Sequence, residues 1–221
     1  MSDATPETME RFRATPEDYV AFEEETDEKH EWIDGEVVPL HRPLIIAGEV
    51  VAMAGGTPMH ALIGANTIIA VGKRVEGGSC RVYTSDLRVR TPTFRSQSGF
   101  KGLYTYPDAT VVCGKLELDN LGKKTDTLLN PTLLVEVLSE STASHDRGKK
   151  FERYAEIESF REYVLVSQDE PVVTVFLRRD NGDWRISHHR GLDAIARLDS
   201  IDVDLPLAEV YAGVEFESGQ A

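Results

Sequence analysis

The chain has 221 residues, of which 41% are hydrophobic and 28% are charged, so it can form one domain with a substantial core but not two comfortable ones. No apolar run approaches the roughly 18 residues that a membrane-spanning helix needs, and the first residues are too polar for a signal peptide. These features exclude membrane and fibrous proteins and favour a cytoplasmic protein.

The two cysteines, Cys80 and Cys113, lie in apolar segments without the close spacing that metal-binding cysteine pairs show. We therefore expect reduced, buried thiols.

The net charge of −14 at first argues against a nucleic-acid partner, but the charge is unevenly distributed. Residues 1–36 carry 13 of the 38 acidic and 3 of the 24 basic side chains. The remaining chain is close to neutral, and residues 81–101 are locally basic. The charge therefore neither supports nor excludes binding to phosphate.

Residues 1–14 are expected to form a mobile acidic segment, followed by a single domain over residues 15–215. Thr15 and Pro16 are typical of a helix start, and that helix is expected to end near residue 24. Strands are expected at 31–38 and 44–53, each with a Gly-Glu-Val-Val motif that could mark a short duplication. A second helix is expected from residue 59 to about residue 74.

Beyond residue 80 the pattern becomes that of strands. Strands are expected at 81–90, 108–113, 133–138, 162–166, 172–179 and 184–188, a helix at about 146–157, and polar loops at 91–104 and 115–130. The loop at 91–104 is long enough that we expect it to be functional or mobile. This order predicts one mixed α/β domain.

Glu136 interrupts an otherwise continuous apolar run, residues 133–138, which is the pattern of a strand buried on both faces. An ionised carboxylate there needs either access to water at a sheet edge or a cation partner. Asp108 opens the neighbouring buried strand. Two carboxylates on adjacent strands, completed by water and a phosphate oxygen, could hold Mg²⁺ or Mn²⁺, and we expect them within about 6 Å of each other.

Several further motifs occur in a specific order. They are His30-Glu31-Trp32-Ile33-Asp34-Gly35-Glu36, Met53-Ala54-Gly55-Gly56 leading to His60, Ser85-Asp86-Leu87-Arg88-Val89-Arg90, Tyr106-Pro107-Asp108, Asn130-Pro131 through Glu136-Val137-Leu138-Ser139, Ser141-Thr142, and Asp146-Arg147-Gly148-Lys149-Lys150. With them the chain, over roughly residues 14–190, resembles the Uma2-like family (DUF820) of restriction-endonuclease-like proteins, within the PD-(D/E)XK nuclease superfamily. The resemblance implies an α/β restriction-endonuclease-like domain, in which a mixed central β-sheet is flanked by helices.

The same resemblance implies that Asp108 and Glu136 form the two halves of the nuclease motif. The superfamily places a lysine two residues after the glutamate, but this chain has Leu138 there. Lys150 matches the family position of a relocated lysine, with Lys149 as its competitor. An ordinary surface ion pair between Asp146 and Lys150 is the alternative interpretation.

Five other residues are candidates: His60, Glu31, Arg88, Arg90 and Asp86. His60 could position a water or a phosphate, or could be a structural histidine at a helix start. Glu31 resembles the early acidic residue that completes the metal shell, or is an exposed acid. Arg88 and Arg90, on one strand face with Asp86, could contact nucleic acid, or could form a solvated strand face.

The function expected from these residues is Mg²⁺-dependent (or Mn²⁺-dependent) hydrolysis of nucleic-acid phosphodiester bonds, with DNA as the expected substrate and a homodimer as one arrangement. A nuclease fold kept as a binding or assembly module without turnover is the main alternative, because the motif lysine is missing. An unrelated metal-binding or sugar-processing enzyme is a third.

Overall fold

The computed structural model describes residues 12–40, 44–46, 49–51, 57–123, 126–138 and 146–216. The expected mobile segment and the motifs at 53–56 and 141–142 therefore lie wholly or largely outside the described residues. Within them, no helix is long and apolar enough to cross a membrane.

The helices are α1 (Pro16–Glu25), α2 (Pro58–Val75), α3 (Phe151–Tyr154) and α4 (Leu207–Val210), and α3 continues a π-helical turn at Asp146–Lys150. The strands, in chain order, are β1 (Phe12–Arg13), β2 (His30–Ile33), β3 (Glu36–Pro39), β4 (Leu44–Ile46), β5 (Glu49–Val51), β6 (Cys80–Thr84), β7 (Arg88–Arg90), β8 (Phe94–Ser96), β9 (Gly99–Lys101), β10 (Leu103–Thr105), β11 (Ala109–Cys113), β12 (Thr127–Leu128), β13 (Leu133–Leu138), β14 (Glu162–Ser167), β15 (Val172–Arg178), β16 (Trp184–Arg190), β17 (Ile195–Leu198) and β18 (Val203–Pro206). The two expected long helices are confirmed, and in each a threonine, Thr15 or Thr57, caps the first turn.

A mixed sheet in the order β16-β15-β14-β13-β11-β6 forms the centre of the fold. Strands β13 and β14 are parallel, whereas the other neighbours in this sheet are antiparallel. All six residues of β13 are buried, which confirms the strand expected there. The mixed α/β fold predicted from the sequence is therefore confirmed.

The two faces of β13 pack against different layers. One face of β13 carries Leu133, Val135 and Val137, which pack with α2, β18 and α4. Neither β18 nor α4 was predicted from the sequence. Leu134 and Leu138 point to the opposite face. Because side chains alternate along a strand, Glu136 shares the face of Leu134 and Leu138.

A second sheet, in the order β1-β3-β2-β10-β7-β12, lies beside that opposite face. Val89 of β7 and Leu103 of β10 share a core there with Leu134, Tyr154 and Leu165. Glu136 therefore lies between the central sheet, the second sheet and the short helix α3.

Two expected strands are wrong because short turns divide them. The segment 31–38 is a hairpin of β2 and β3, and its turn residues Asp34 and Gly35 have φ of 51° and 91°. Asp-Gly is the sequence signature of this tight hairpin turn. The run 81–90 turns at Ser85-Asp86, so that β6 belongs to the central sheet and β7 to the second.

The expected loop at 91–104 is also wrong. It contains the antiparallel hairpin β8–β9 and then enters β10, which pairs with β2 and β7. The loop at 115–130 is largely irregular, as expected, apart from β12.

The cysteine prediction is wrong as well, because Cys80 and Cys113 form a disulfide. They are register partners on the antiparallel strands β6 and β11. This proximity comes from strand pairing, and therefore could not be read from their separation in the chain.

Candidate active site

Lys150 lies among three carboxylates. Its Nζ is 3.0 Å from Glu31 Oε1, 3.3 Å from Glu136 Oε1 and 3.3 Å from Asp146 Oδ1. All four side chains are at most 10% exposed. The three carboxylates come from β2, β13 and the π-helical turn, so the fold assembles this cluster from three separate parts of the chain.

The helical segment that begins at Asp146 positions the lysine. Asp146, Lys150 and Tyr154 are spaced four residues apart, and Tyr154 Oη donates a hydrogen bond of 2.9 Å to Glu136 Oε1. Lys149 is exposed, which confirms that Lys150 rather than Lys149 faces the carboxylates. The ion pair considered for Asp146 and Lys150 is present, but its expected position at the surface is wrong, because both residues are buried.

Glu31 lies on β2 of the second sheet, and the neighbouring strand β10 holds its carboxylate in place. It is 8% exposed, and its Oε1 accepts a hydrogen bond from Thr105 Oγ1 of β10. The reading of Glu31 as an exposed acid is therefore wrong.

Asp108 and His60 form a second, more open pair beside this cluster. Asp108 Oδ1 is 2.9 Å from His60 Nε2, Asp108 Oδ2 accepts a 2.7 Å hydrogen bond from the backbone N–H of Val137, and the His60 and Asp108 side chains are 23% and 22% exposed. Because Ala109 pairs with Val135, continuing the register brings Asp108 level with Glu136. The hydrogen bond to Asp108 raises the pKa of His60, and burial only partly opposes it.

The cluster has too little positive charge for its carboxylates. Burial raises the pKa of Glu136, and the charges of Asp146, Asp108 and Glu31 raise it further, while Lys150 opposes them. Burial lowers the pKa of Lys150, but Glu136 and Glu31 outweigh it, so the net pKa is raised. One ammonium therefore faces three carboxylates, and when all are ionised the group carries two excess negative charges.

These residues fit a hard divalent cation in donor type and charge. Within the described part of the chain, Asp146 Oδ1 is buried and accepts no hydrogen bond. The cation beside it is Lys150 Nζ, at 3.3 Å. Among the described residues, no group of three or more His, Cys, Asp or Glu side chains is arranged to hold an ion. The donor type and charge suit Mg²⁺, which commonly retains several waters, but the described side chains do not form a ligand set around an ion.

The proposed phosphate contacts do not share one open face. The Arg88 side chain is 3% exposed and donates to Asp126 Oδ1. Arg90 pairs with Asp119, and Asp86 lies in the turn before β7 and pairs with Lys29. Arg88 is not available to nucleic acid in this structure, because its side chain is buried and its guanidinium donates to Thr127 and Asp126. A contact of Arg90 or Asp86 with nucleic acid stays a prediction.

Tyr154 and Thr105 are site residues that the sequence did not reveal. The spacing of Asp146, Lys150 and Tyr154 was a usable signal, since residues four apart share a helix face. Thr105 gave no such signal, because its contact with Glu31 depends on the pairing of β10 with β2.

Comparisons with known proteins agree with this fold. The family model described as "Uma2: Putative restriction endonuclease" matches residues 39–208. Two Synechocystis relatives match: "Uncharacterized protein slr1290" is 31% identical over 92% of this chain and 94% of its own length, and "Uncharacterized protein sll1609" is 26% identical over 81% and 89%.

A solved structure shares the fold. It is the crystal structure of "a putative nuclease belonging to DUF820" from Anabaena variabilis, with a TM-score of 0.57 and 16% identity, covering 85% of this chain and 92% of that one. The family match extends over most of the chain and includes Asp108, Glu136 and Lys150. The chain therefore belongs to the Uma2 family of restriction-endonuclease-like proteins.

Proposed function

We propose that the chain is a divalent-metal-dependent endonuclease that hydrolyses phosphodiester bonds in DNA, with Mg²⁺ or Mn²⁺ as its ion. One observation carries this proposal: a buried lysine faces three carboxylates, with the half-open Asp108–His60 pair beside them. Buried negative charge in excess is unfavourable without a cation. A group of carboxylates with such an excess is what a metal-dependent phosphodiesterase uses to hold its ion.

In this proposal Asp108 and Glu136 hold the ion, and Glu31 adds negative charge nearby. Such an ion, when bound, would lower the pKa of a water molecule and polarise the scissile phosphate. Lys150 fixes the orientation of Glu136 and offsets negative charge that develops during hydrolysis. Tyr154 holds the same carboxylate through its hydroxyl. His60 orients Asp108 and, when protonated, offers a positive charge to a phosphate.

A nuclease fold without turnover is the second candidate. Lys150 contacts Glu31, Glu136 and Asp146 together, so it satisfies part of the cluster without any metal. Such a protein would bind nucleic acid but leave it intact.

Cleavage assays separate the two candidates. The protein is incubated with supercoiled plasmid, single-stranded DNA and RNA, in Mg²⁺, in Mn²⁺ and in EDTA. We expect cleavage of DNA that needs the metal and is lost in Asp108→Asn but kept in Asp180→Asn, which changes an exposed carboxylate in the turn between β15 and β16. Binding without cleavage in either metal supports the binding module, and cleavage by Asp108→Asn at the parent rate contradicts the proposed site.

A further inference from the structure

The β8–β9 hairpin lies in a segment with an unusual charge composition. Residues 87–107 contain no Asp or Glu, although 38 of the 221 residues are acidic. Four basic residues lie in this segment: Arg88, Arg90, Arg95 and Lys101. The segment is therefore locally basic in a chain whose net charge is −14.

Arg95 differs from the other three because its charge is not compensated. Arg88, Arg90 and Lys101 each pair with an aspartate. Arg95 is exposed, and among the described residues it makes no ion pair. Its guanidinium carbon lies 5.8 Å from the centre of the Phe100 ring, directly across the hairpin. This contact orients the guanidinium but leaves its charge available.

Phe94 presents a second contact group on the other face of the hairpin. Neighbouring residues of a strand point to opposite faces, so Phe94 and Arg95 lie on opposite sides of the ribbon. Phe94 is 51% exposed, so its ring presents apolar surface to the solvent. The ribbon therefore has an exposed aromatic ring on one face and an uncompensated cation on the other.

Hydrogen bonds connect the base of the hairpin to the helical segment that carries Lys150 toward the proposed active site. Asp34 accepts hydrogen bonds from Gly102 N, from Lys101 Nζ and from Arg153, which lies three residues after Lys150. Gly102 has φ of 135°, and an added Cβ would lie 2.9 Å from the carbonyl oxygen of Pro92. The two segments are thus closely packed at the base of the hairpin, which restricts movement there.

One short strand connects the base of the hairpin to the carboxylate cluster. Strand β10 connects the hairpin to Thr105, which donates to Glu31 in the carboxylate cluster. Thr105 is three positions after Gly102 in extended backbone, a span of about 10 Å. The base of the hairpin is therefore close to the cluster along the chain, and DNA bound at the cluster would lie near it.

We propose that the β8–β9 hairpin enters a groove of duplex DNA beside the scissile phosphate, with Arg95 on a backbone phosphate and Phe94 on the opposite wall of the groove. This inference rests on the proposed nuclease function. A two-stranded ribbon fits the major groove, where both of its faces meet DNA. The uncompensated cation and the absence of acids favour DNA over a protein partner.

Binding of a labelled DNA duplex, measured by fluorescence anisotropy over a NaCl series, tests this assignment. Ca²⁺ replaces Mg²⁺ to suppress cleavage. Arg95→Gln should weaken binding about three- to tenfold, and should lower the slope of log affinity against log salt by about 1, because one phosphate contact is lost. Phe94→Ala should weaken binding about fivefold, because an apolar contact in the groove is lost, and should leave the salt slope unchanged.

Arg161→Gln is the matched control. Arg161 is an exposed arginine just before β14 and donates to the carbonyl of Glu158, so the substitution removes the same charge away from the hairpin. This variant should bind like the parent protein. Equal losses in Arg95→Gln and Arg161→Gln would show a general charge effect and overturn the assignment.

The remaining outcomes separate the hairpin from the nuclease function. If the parent binds and cleaves DNA, and Arg95→Gln and Phe94→Ala both match it, the hairpin assignment fails and the proposed function stands. If the parent binds no DNA, both proposals fail. If Phe94→Ala instead changes the oligomeric state in sedimentation, with DNA affinity unchanged, the hairpin is a protein interface and the assignment is overturned.

Discussion

Two residues after Glu136, where the resemblance implied a lysine, the chain has Leu138, and the structure shows how this residue packs. Leu138 is 5% exposed and belongs to the apolar cluster on its face of the sheet. Lys150 reaches Glu136 from the following helical segment, with its Nζ 3.3 Å from Oε1. The ammonium is therefore kept near the glutamate although it comes from a different element.

Replacing Lys150 by Met tests whether this ammonium balances the cluster. The change keeps the length of the side chain but leaves three buried carboxylates without a cation, so we expect a loss of about 3–5 kcal/mol in the free energy of unfolding in EDTA. Mn²⁺ should restore part of that loss by supplying another cation. Urea unfolding with and without Mn²⁺ measures both effects.

Lys149→Met is the control for this prediction. Lys149 is adjacent in sequence but exposed, so its replacement should change stability by no more than about 0.5 kcal/mol. Equal effects of the two substitutions would contradict a special role of Lys150 in the cluster.

At the scale of elements, the sequence predicted best where hydrophobic patterning decides the structure. Strand β13 is recognisable because its apolar run is continuous, and α1 and α2 because of their caps. The β2–β3 hairpin was missed because the Asp34-Gly35 turn lies within a charged stretch. The break after Thr84 was missed because alternation continues through the turn into β7.

The candidate site shows the same limit. Glu136 and Lys150 were identifiable from an interrupted strand and a family position. The contact of Glu31 with Lys150 depends on how the second sheet packs on the first, and that packing has no local signature.

Asp34 connects three elements, and its charge should therefore contribute to stability. Burial raises the pKa of Asp34, but hydrogen bonds from Arg153, Gly102 and Lys101 outweigh it, so the net pKa lies below the ordinary value of 3.8. An acid with a lowered pKa stabilises the fold above its unfolded pKa, and that contribution is lost as the pH falls through the folded pKa.

Asp34→Asn tests this contribution while keeping the turn, because Asn also accepts the left-handed conformation of this position. We expect a loss of about 1 kcal/mol at neutral pH. The difference between parent and variant should stay constant down to about pH 4 and shrink below it. Urea unfolding over a pH series measures it, and a difference that grows at acidic pH would contradict the assigned sign.

At the scale of the whole molecule, the central sheet separates two cores, and the proposed site lies on the side of the second sheet. The disulfide between Cys80 and Cys113 joins β6 and β11 at a separation of 33 residues. Such a crosslink restricts the unfolded chain, which corresponds to about 3–4 kcal/mol in the chain-entropy description.

Urea unfolding of the parent and of the Cys80→Ser, Cys113→Ser double variant measures this contribution. We expect the variant to lose about 2–4 kcal/mol, and the parent in reducing buffer to approach it. If reducing agent changes nothing and the parent contains two free thiols, the reduced state expected from composition is the correct one.

The central claim is that Asp108 and Glu136 hold a divalent ion. Calorimetric titration of the protein with Mn²⁺ tests it most directly. The parent should bind Mn²⁺, and Glu136→Gln should weaken binding at least about tenfold, because one charged ligand is lost. Glu162→Gln should bind like the parent, since Glu162 is a buried carboxylate on β14 that is satisfied by Ser200 instead. Equal Mn²⁺ affinity in the parent and Glu136→Gln would contradict the metal site.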